Sequence, residues 1–155
     1  MIHSRKLVLA ALLAASPYAF AQEIVDATNP GKLADIIRDL GYRAVLSTDS
    51  VGDPKIETSV NGTDATILFF GCEDNANCKI LLFKIGYDLA DGTELEVINT
   101  WNQEKLYGRA YLDDEKDPWI EMPVNLSGGV TRENFEDTFD WWDKVVGEFE
   151  QHIDF

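Results

Sequence analysis

Two cysteines have the spacing that most directly suggests chemistry in this chain of 155 residues. Cys72 and Cys78 enclose a polar, turn-forming segment, Glu-Asp-Asn-Ala-Asn, between two strongly apolar runs. In an oxidising compartment such a pair closes a disulfide across a strand-to-strand connection. A redox or zinc site is disfavoured, because the spacing is not Cys-x-x-Cys and no basic side chain lies between the thiols. We therefore predict a structural disulfide.

Histidine, the usual base of nucleophilic catalysis, is scarce in the sequence. The chain contains His3 and His152, and His152 lies in a segment where fraying is expected. Paired carboxylates are weak evidence for acid–base chemistry, because 28 acidic residues make accidental pairs unavoidable. The sequence also contains no Gly-rich phosphate loop and no calcium-loop pattern. We predict no enzymatic activity, no cofactor and no metal site.

Aromatic residues and arginine, the types that dominate protein-binding hot spots, cluster in the second half of the chain. Alternation along two predicted strands places Arg109, Tyr111 and Trp119 on one side of a sheet. From these and their neighbours we predict one candidate binding face, made of Asn99, Trp101, Asn102, Tyr107, Arg109, Tyr111 and Trp119.

A structural interpretation of the same residues stays open beside the functional one. In it, Trp101 packs in the core and Asn102 caps the C-terminal end of its helix. Arg109 then pairs with an acidic residue on the adjacent strand, for which Glu121 is the candidate.

The first 21 residues have the three parts of a secretory signal peptide. Arg5 and Lys6 precede the apolar run 7–15, and the small-x-small triplet 19–21 follows it. An apolar run of this length is too short to span a bilayer, which requires roughly 20 residues in a helix. We predict cleavage after Ala21, a single domain over 22–155 without a membrane span, and a periplasmic or secreted location in a bacterium.

The charge of the chain excludes several classes of partner. It contains 13 basic and 28 acidic residues, a net charge of -15, and removing residues 1–21 lowers this to -17. Nucleic acids and anionic membrane surfaces are therefore excluded as partners. The hydrophobic fraction of 45% is sufficient for the core of one domain.

Local patterns predict the elements that position these residues. A first helix follows Asn29-Pro30 and ends at Gly41, a second begins with a capping box of Thr93 and Glu96, and a third begins at Thr131. Strands are predicted over 42–48, 55–61, 65–70, 79–87, 106–112 and 119–125. The order α-β-β-β-β-α-β-β-α predicts an α+β fold, an antiparallel sheet of about five to six strands with helices packed on it.

Three details of this arrangement are also predicted. The strands 65–70 and 79–87 are almost continuously apolar, which favours central positions covered over much of both faces. Gly108 and Ala110 are small, so a helix is expected to lie close to them. In the third helix, Trp142 falls in the apolar stripe and the adjacent Trp141 falls at its edge.

Three motifs resemble the YbjN-domain family of bacterial proteins: Asn99-Thr100-Trp101-Asn102, residues 109–113 (RAYLD) and residues 125–131 (NLSGGVT). The segment Phe69-Phe70-Gly71-Cys72 also resembles exported members of that family. The family is described as one of proposed sensory-transduction regulators. Its fold is similar to that of type III secretion chaperones, small α+β proteins that bind other polypeptides.

The resemblance implies a non-enzymatic polypeptide-binding or regulatory module, and it supplies no catalytic residues. The implied partner is an unknown protein or a second copy of the chain in a homodimer. The alternative is a small ligand-binding protein or enzyme with a site near Asn102 and Arg109.

Overall fold

The computed structural model describes residues 22–155, so the predicted signal peptide lies outside the described residues. The fold is α+β, and the predicted order of elements is confirmed, with two additional two-residue strands near its ends. In chain order the elements are β1 (Ile24–Val25), α1 (Pro30–Asp39), β2 (Ala44–Thr48), β3 (Pro54–Val60), β4 (Thr63–Phe70), β5 (Ile80–Gly86), α2 (Leu95–Glu104), β6 (Arg109–Leu112), β7 (Pro118–Asn125), β8 (Val130–Thr131) and α3 (Arg132–His152).

The main sheet has six antiparallel strands in the order β2-β3-β4-β5-β7-β6. The predicted central position of β4 and β5 is confirmed. β1 and β8 form a separate two-stranded pair, which joins the start of the described chain to the beginning of α3. β2 and β6 are therefore the two edges of the main sheet.

Local sequence explains both ends of α1. The Asn29 side chain accepts a hydrogen bond from the Lys32 amide at 3.0 Å, and Pro30 follows in the first turn. At the other end Gly41 has a φ of 94°, and the amides of Gly41 and Tyr42 donate to the carbonyls of Arg38 and Ile37. This pattern is a Schellman motif, in which glycine is favoured because φ is positive.

All three helices pack on the same face of the sheet. Phe83 of β5 contacts both Phe139 and Trp142 of α3, with ring centroids 5.9 and 5.8 Å apart. Trp101 of α2 packs edge-on against Phe149 of α3 at 4.9 Å. α1 joins this layer, since Arg132 of α3 pairs with Asp39 at 2.8 Å.

Among residues 22–155, no helix packs on the opposite face of the sheet, which corrects the prediction that β4 and β5 are covered over much of both faces. Phe69 and Phe83 are buried on the helix side, whereas Leu68 and Leu82 on the other side are half-buried. Phe70 is 45% exposed. A continuous apolar run marks a central strand but does not show how many of its faces are covered.

The helix starts show one correction and one confirmation. α2 has Glu94 at its N-cap without a side-chain hydrogen bond, so the predicted Thr93 capping box is wrong. The Thr93 amide instead donates to the Lys116 carbonyl at 3.0 Å. Thr131 does cap α3, because its hydroxyl accepts from the Asn134 amide at 3.1 Å.

The predicted disulfide is present between Cys72, just after β4, and Cys78, just before β5. A disulfide is typical of proteins outside the reducing cytoplasm. Among residues 22–155, no helix has both the length and the apolar character required to cross a bilayer.

Candidate binding surface on the open face of the sheet

We use the name open face for the side of the main sheet that the helices leave uncovered. It is formed by the outward side chains of the six strands. Its central part consists of Leu68, Phe70, Ile80, Leu82, Lys84, Arg109, Tyr111, Trp119, Glu121 and Pro123.

An apolar strip crosses the middle of the open face. Leu68 of β4, Leu82 of β5 and Pro123 of β7 lie directly opposite one another in the strand register. Phe70 and Ile80 form the next pair, and both are exposed. Five large apolar residues on adjacent strands thus make one continuous surface rather than isolated exposed side chains.

Two aromatic rings lie beside this strip. Trp119 covers Gly86, its cross-strand neighbour, so closely that a Cβ on Gly86 would lie 2.6 Å from the indole carbons. Tyr111 on the edge strand is parallel to Trp119, with an interplanar angle of 10° and centroids 6.3 Å apart. Glycine at position 86 is therefore required for the indole to lie flat on the sheet.

Lys84 is positioned over these rings. Its Nζ lies 4.4 Å from the centroid of Trp119 and 5.5 Å from that of Tyr111. Among the lysine and arginine side chains of residues 22–155, Lys84 and Lys144 form no ion pair, and both lie over a tryptophan. The ring quadrupole thus stabilises an ammonium group that no carboxylate neutralises.

A carboxylate holds Trp119 in this orientation. The indole Nε1 donates to Oδ2 of Asp113 at 2.9 Å, and Oδ1 accepts from the amides of Glu115 and Asp117. The indole hydrogen bond lowers the pKa of Asp113 below its ordinary value of 3.8, and the two amide bonds act in the same direction.

Glu121 is the one charged residue among those described that the fold almost completely buries, with 6% exposure. Its carboxylate forms an ion pair with Arg109, which lies directly opposite on β6. The predicted Arg109–Glu121 pair is therefore present. The Arg109 side chain remains 72% exposed, so its other donors face solvent.

The open face is electrically balanced although the chain is strongly acidic. Within the strands, Lys55, Lys84 and Arg109 are matched by three acidic residues, Glu57, Asp64 and Glu121. The excess negative charge therefore lies elsewhere, on the helices and loops.

The structure places only part of the predicted candidate binding face on the open face. Arg109, Tyr111 and Trp119 lie together on the open face. Trp101 is fully buried, and its Nε1 donates to the Gly108 carbonyl at 2.6 Å. Asn99 is exposed on α2, away from the sheet.

Asn102 has a different partner from the predicted helix cap. Its amide nitrogen donates to the Ala110 carbonyl at 3.0 Å, and its amide oxygen accepts from the Ala110 amide at 2.9 Å. The end of α2 is instead closed by the Lys105 amide, which donates to the Trp101 carbonyl. Asn102 thus belongs to the sheet edge.

Tyr107 is also absent from the open face, contrary to the predicted alternation. β6 begins only at Arg109, because Gly108 has a φ of 80° and turns the chain. Tyr107 instead contacts Trp141 of α3, with centroids 5.4 Å apart. A Cβ on Gly108 would lie 2.7 Å from Val145 of α3, so the predicted close approach of a helix is confirmed.

Sequence reasoning missed Lys84 and the apolar strip. The signal was present in the alternation of β4 and β5, since every second residue of each strand belongs to the uncovered face. Their outward side chains are apolar near the disulfide and become polar toward the other end, at Asp64, Thr66 and Lys84.

Comparison with known protein families assigns the chain to one of them. A family model, YbjN, described as "Putative bacterial sensory transduction regulator", matches residues 29–155. The chain belongs to the YbjN family. The match begins at the N-cap of α1 and includes the complete open face, which confirms the resemblance seen in the motifs. No curated protein and no solved structure matches this YbjN-family chain.

Proposed function

We propose that this YbjN-family chain is a non-enzymatic polypeptide-binding module that uses its open face. The observation that carries the proposal is the apolar strip of Leu68, Leu82 and Pro123, extended by Phe70 and Ile80, on a sheet face that the helices do not cover. Burying such a surface against a partner stabilises the complex by about 25 cal/mol for each Å² of apolar area removed from water.

The shape and charge of the open face favour a polypeptide over a small molecule. The strip extends across three strands instead of forming an enclosed pocket, so it suits an extended or helical segment with several apolar side chains. Arg109 and Lys84 lie next to the strip, and both keep donors for the carbonyl or carboxylate groups of such a segment. Trp119, Tyr111 and Arg109 are residue types that are enriched at binding hot spots.

The proposed location is the bacterial periplasm. The disulfide between Cys72 and Cys78 and the predicted signal peptide both support export. We propose that the regulatory description of the family corresponds, in this chain, to binding an exported polypeptide.

The alternative site near Asn102 and Arg109 is a cavity of about 470 Å³. Both ends of the Asn102 amide already bind Ala110, and the free donors of Arg109 also border the open face, so neither residue favours this cavity over the apolar strip. The open face therefore supports binding better than this cavity supports ligand chemistry.

A binding assay with a matched pair of leucine variants tests the proposal. The probe is a fluorescent peptide of alternating leucine and serine with terminal lysines, and the readout is fluorescence anisotropy. We expect binding by the unmodified protein and loss of at least about tenfold in affinity for Leu82→Asp, which places a charge in the strip. Leu95→Asp is the control, because Leu95 is 60% exposed on α2, away from the open face. Equal affinity for the two variants, or no binding by the unmodified protein, contradicts the proposal.

A further inference from the structure

The two edges of the main sheet differ in how their backbone groups are satisfied. At the β6 edge, side chains of α2 form hydrogen bonds with the carbonyl of Gly108, the residue just before β6, and with both backbone groups of Ala110. On β2, the outermost strand at the other side, the structure shows one such contact, from Arg38 Nε to the Ala44 carbonyl at 2.9 Å. Within residues 22–155, β6 is therefore closed to a further strand, and β2 is open.

β2 also lacks the charged side chains, prolines and bulges by which edge strands often avoid pairing with another chain. Its sequence, Ala-Val-Leu-Ser-Thr, contains no lysine, no proline and no other charged residue, and its register with β3 is continuous without a bulge. Val45 and Leu46 are each 45% exposed. In a chain of such high net charge, an uncharged apolar edge strand is unusual.

The hydrogen bonds of the β2–β3 hairpin show which groups of β2 point outward. The Asp49 amide donates to the Asp53 carbonyl at 2.9 Å, so this pair is a hydrogen-bonded one. Hydrogen-bonded and non-hydrogen-bonded pairs alternate in antiparallel sheets. Ser47 and Val45 therefore bond to β3, whereas the backbone groups of Ala44, Leu46 and Thr48 point away from it. The contact from Arg38 to the Ala44 carbonyl agrees with this assignment.

We propose that β2 is a self-association edge at which a second copy of this chain pairs antiparallel, with Leu46 on the two-fold axis. In this register Leu46 lies opposite Leu46 of the second copy, and Ala44 lies opposite Thr48. All three residues point their backbone groups outward, so each pair forms a hydrogen-bonded pair. The Ala44 carbonyl has a second lone pair for the new bond beside that from Arg38.

Charge complementarity selects a second copy as the occupant. The register that centres on Leu46 places Arg43 of one copy opposite Asp49 of the other, and the two-fold axis repeats this pair. Asp49 uses Oδ1 for the amides of Val51 and Asp53, which leaves Oδ2 for the arginine. One terminal nitrogen of Arg43 binds Asp64 and the Thr58 carbonyl, and the half-exposed side chain keeps its other donors for Asp49 of the second copy.

Space for the second Leu46 side chain exists beside the edge. A cavity of about 500 Å³ adjoins β2, and its lining includes Pro30, Leu46, Thr48 and Pro54. Pairing converts two six-stranded sheets into one twelve-stranded sheet whose two open faces lie on the same side. The inference is independent of the proposed function, because it concerns β2 and not the apolar strip.

Sedimentation velocity over a concentration series tests self-association of protein expressed from the full chain. We expect the mass to rise to twice that of the monomer as the concentration increases. Leu46→Lys places two ammonium groups on the axis and should leave a monomer at every concentration. Ile80→Lys is the matched control, because Ile80 is an exposed strand residue of the open face, and it should still dimerise. Circular dichroism checks that both variants are folded.

Cysteine cross-linking tests the register. Val45 and Ser47 of opposite copies form a non-hydrogen-bonded pair, with Cα atoms about 4.5 Å apart, which suits a disulfide. Mixing Val45→Cys and Ser47→Cys under mild oxidation should give a covalent heterodimer, and each variant alone should give much less. A monomer at all concentrations overturns the proposal. A dimer that persists in Leu46→Lys also overturns it, as does equal cross-linking in the unmixed cysteine variants. A protein that dimerises without binding the peptide supports self-association at β2 and contradicts the proposed function. A protein that binds the peptide but stays monomeric contradicts self-association and supports the proposed function.

Discussion

Asn102 gives Ala110 both of the hydrogen bonds that a neighbouring strand would provide. The amide nitrogen donates to the Ala110 carbonyl at 3.0 Å, and the amide oxygen accepts from its amide at 2.9 Å. The adjacent Trp101 binds the Gly108 carbonyl in the same manner. Trp101 and Asn102, which are neighbours on α2, thus satisfy the outward backbone groups at the β6 edge. This shared role explains why the two residues are adjacent in the Asn-Thr-Trp-Asn motif.

The first prediction concerns this edge. Asn102→Ala leaves the Ala110 backbone groups without their partner, and we expect a loss of about 1–3 kcal/mol in the free energy of unfolding. Asn99→Ala is the control on the same helix, because Asn99 is exposed, and its effect should stay within about 0.5 kcal/mol. Denaturant unfolding of both variants measures the difference. Similar values would mean that the two hydrogen bonds contribute nothing to stability.

The second prediction concerns the buried carboxylate of Glu121. Arg109→Ala removes its ion-pair partner, and we expect a loss of about 2 kcal/mol, since the arginine is mostly exposed and solvent offsets part of the cost. Lys55→Ala breaks the half-buried pair with Glu57, whose two side chains both still contact solvent, and should cost less than about 1 kcal/mol. If adding Glu121→Gln to Arg109→Ala restores no stability, the buried charge is not the cause of the loss.

The third prediction concerns the pH dependence of the aromatic pair on the open face. The pKa of Asp113 is lowered in the folded protein, so its stabilising bond to Trp119 is complete above the ordinary value of 3.8 and is lost as the pH falls through the lowered value. We expect Trp119 fluorescence to change in that acidic range. Asp113→Asn should remove this transition. A transition that persists in the variant would have to arise from another group.

The fourth prediction uses the adjacent tryptophans of α3. Trp142 is fully buried and Trp141 is 42% exposed, as the spacing predicts. Trp142→Ala should lower the free energy of unfolding by about 3–5 kcal/mol, whereas Trp141→Ala should cost less than about 1 kcal/mol. Thermal or denaturant unfolding decides this, and equal losses would contradict the assigned orientation of α3.

Features that depend on neighbouring residues in the chain are predictable from the sequence. The caps of α1 and α3, the disulfide and the orientation of Trp142 each follow from a pattern within a few residues. The central position of β4 and β5 also follows, because their apolar runs are the longest among the strands.

The cross-strand pair of Arg109 and Glu121 is predictable from strand alternation, but most other features that depend on contacts between distant segments are not. Asn102 is a good helix-capping residue by type, and only the position of β6 gives it another partner. Thr93 has the right spacing for a capping box, but its amide donates a hydrogen bond to the Lys116 carbonyl instead. β1 and β8 have two residues each, which is too few for any periodic pattern.

Among the features that the sequence did not predict, the face of β4 and β5 that the helices leave uncovered has the largest consequence for function. Leu68 and Leu82 have the residue type of a covered surface, yet all three helices pack on the other side. Helix placement depends on connections and packing that lie outside any strand's own sequence. An apolar surface that no helix of residues 22–155 covers became visible only in the structure, and it carries the proposed function.

Site-specific photo-cross-linking in the bacterial cell tests polypeptide binding by the open face most directly. A photoreactive benzoylphenylalanine replaces Leu82 in one strain and Leu95 in the control strain. We predict cross-linked polypeptide adducts after irradiation for position 82 and not for position 95, with loss of the position 82 adducts when Trp119→Ala is added. Absence of adducts at position 82, or equal adducts at both positions, would contradict binding through the open face.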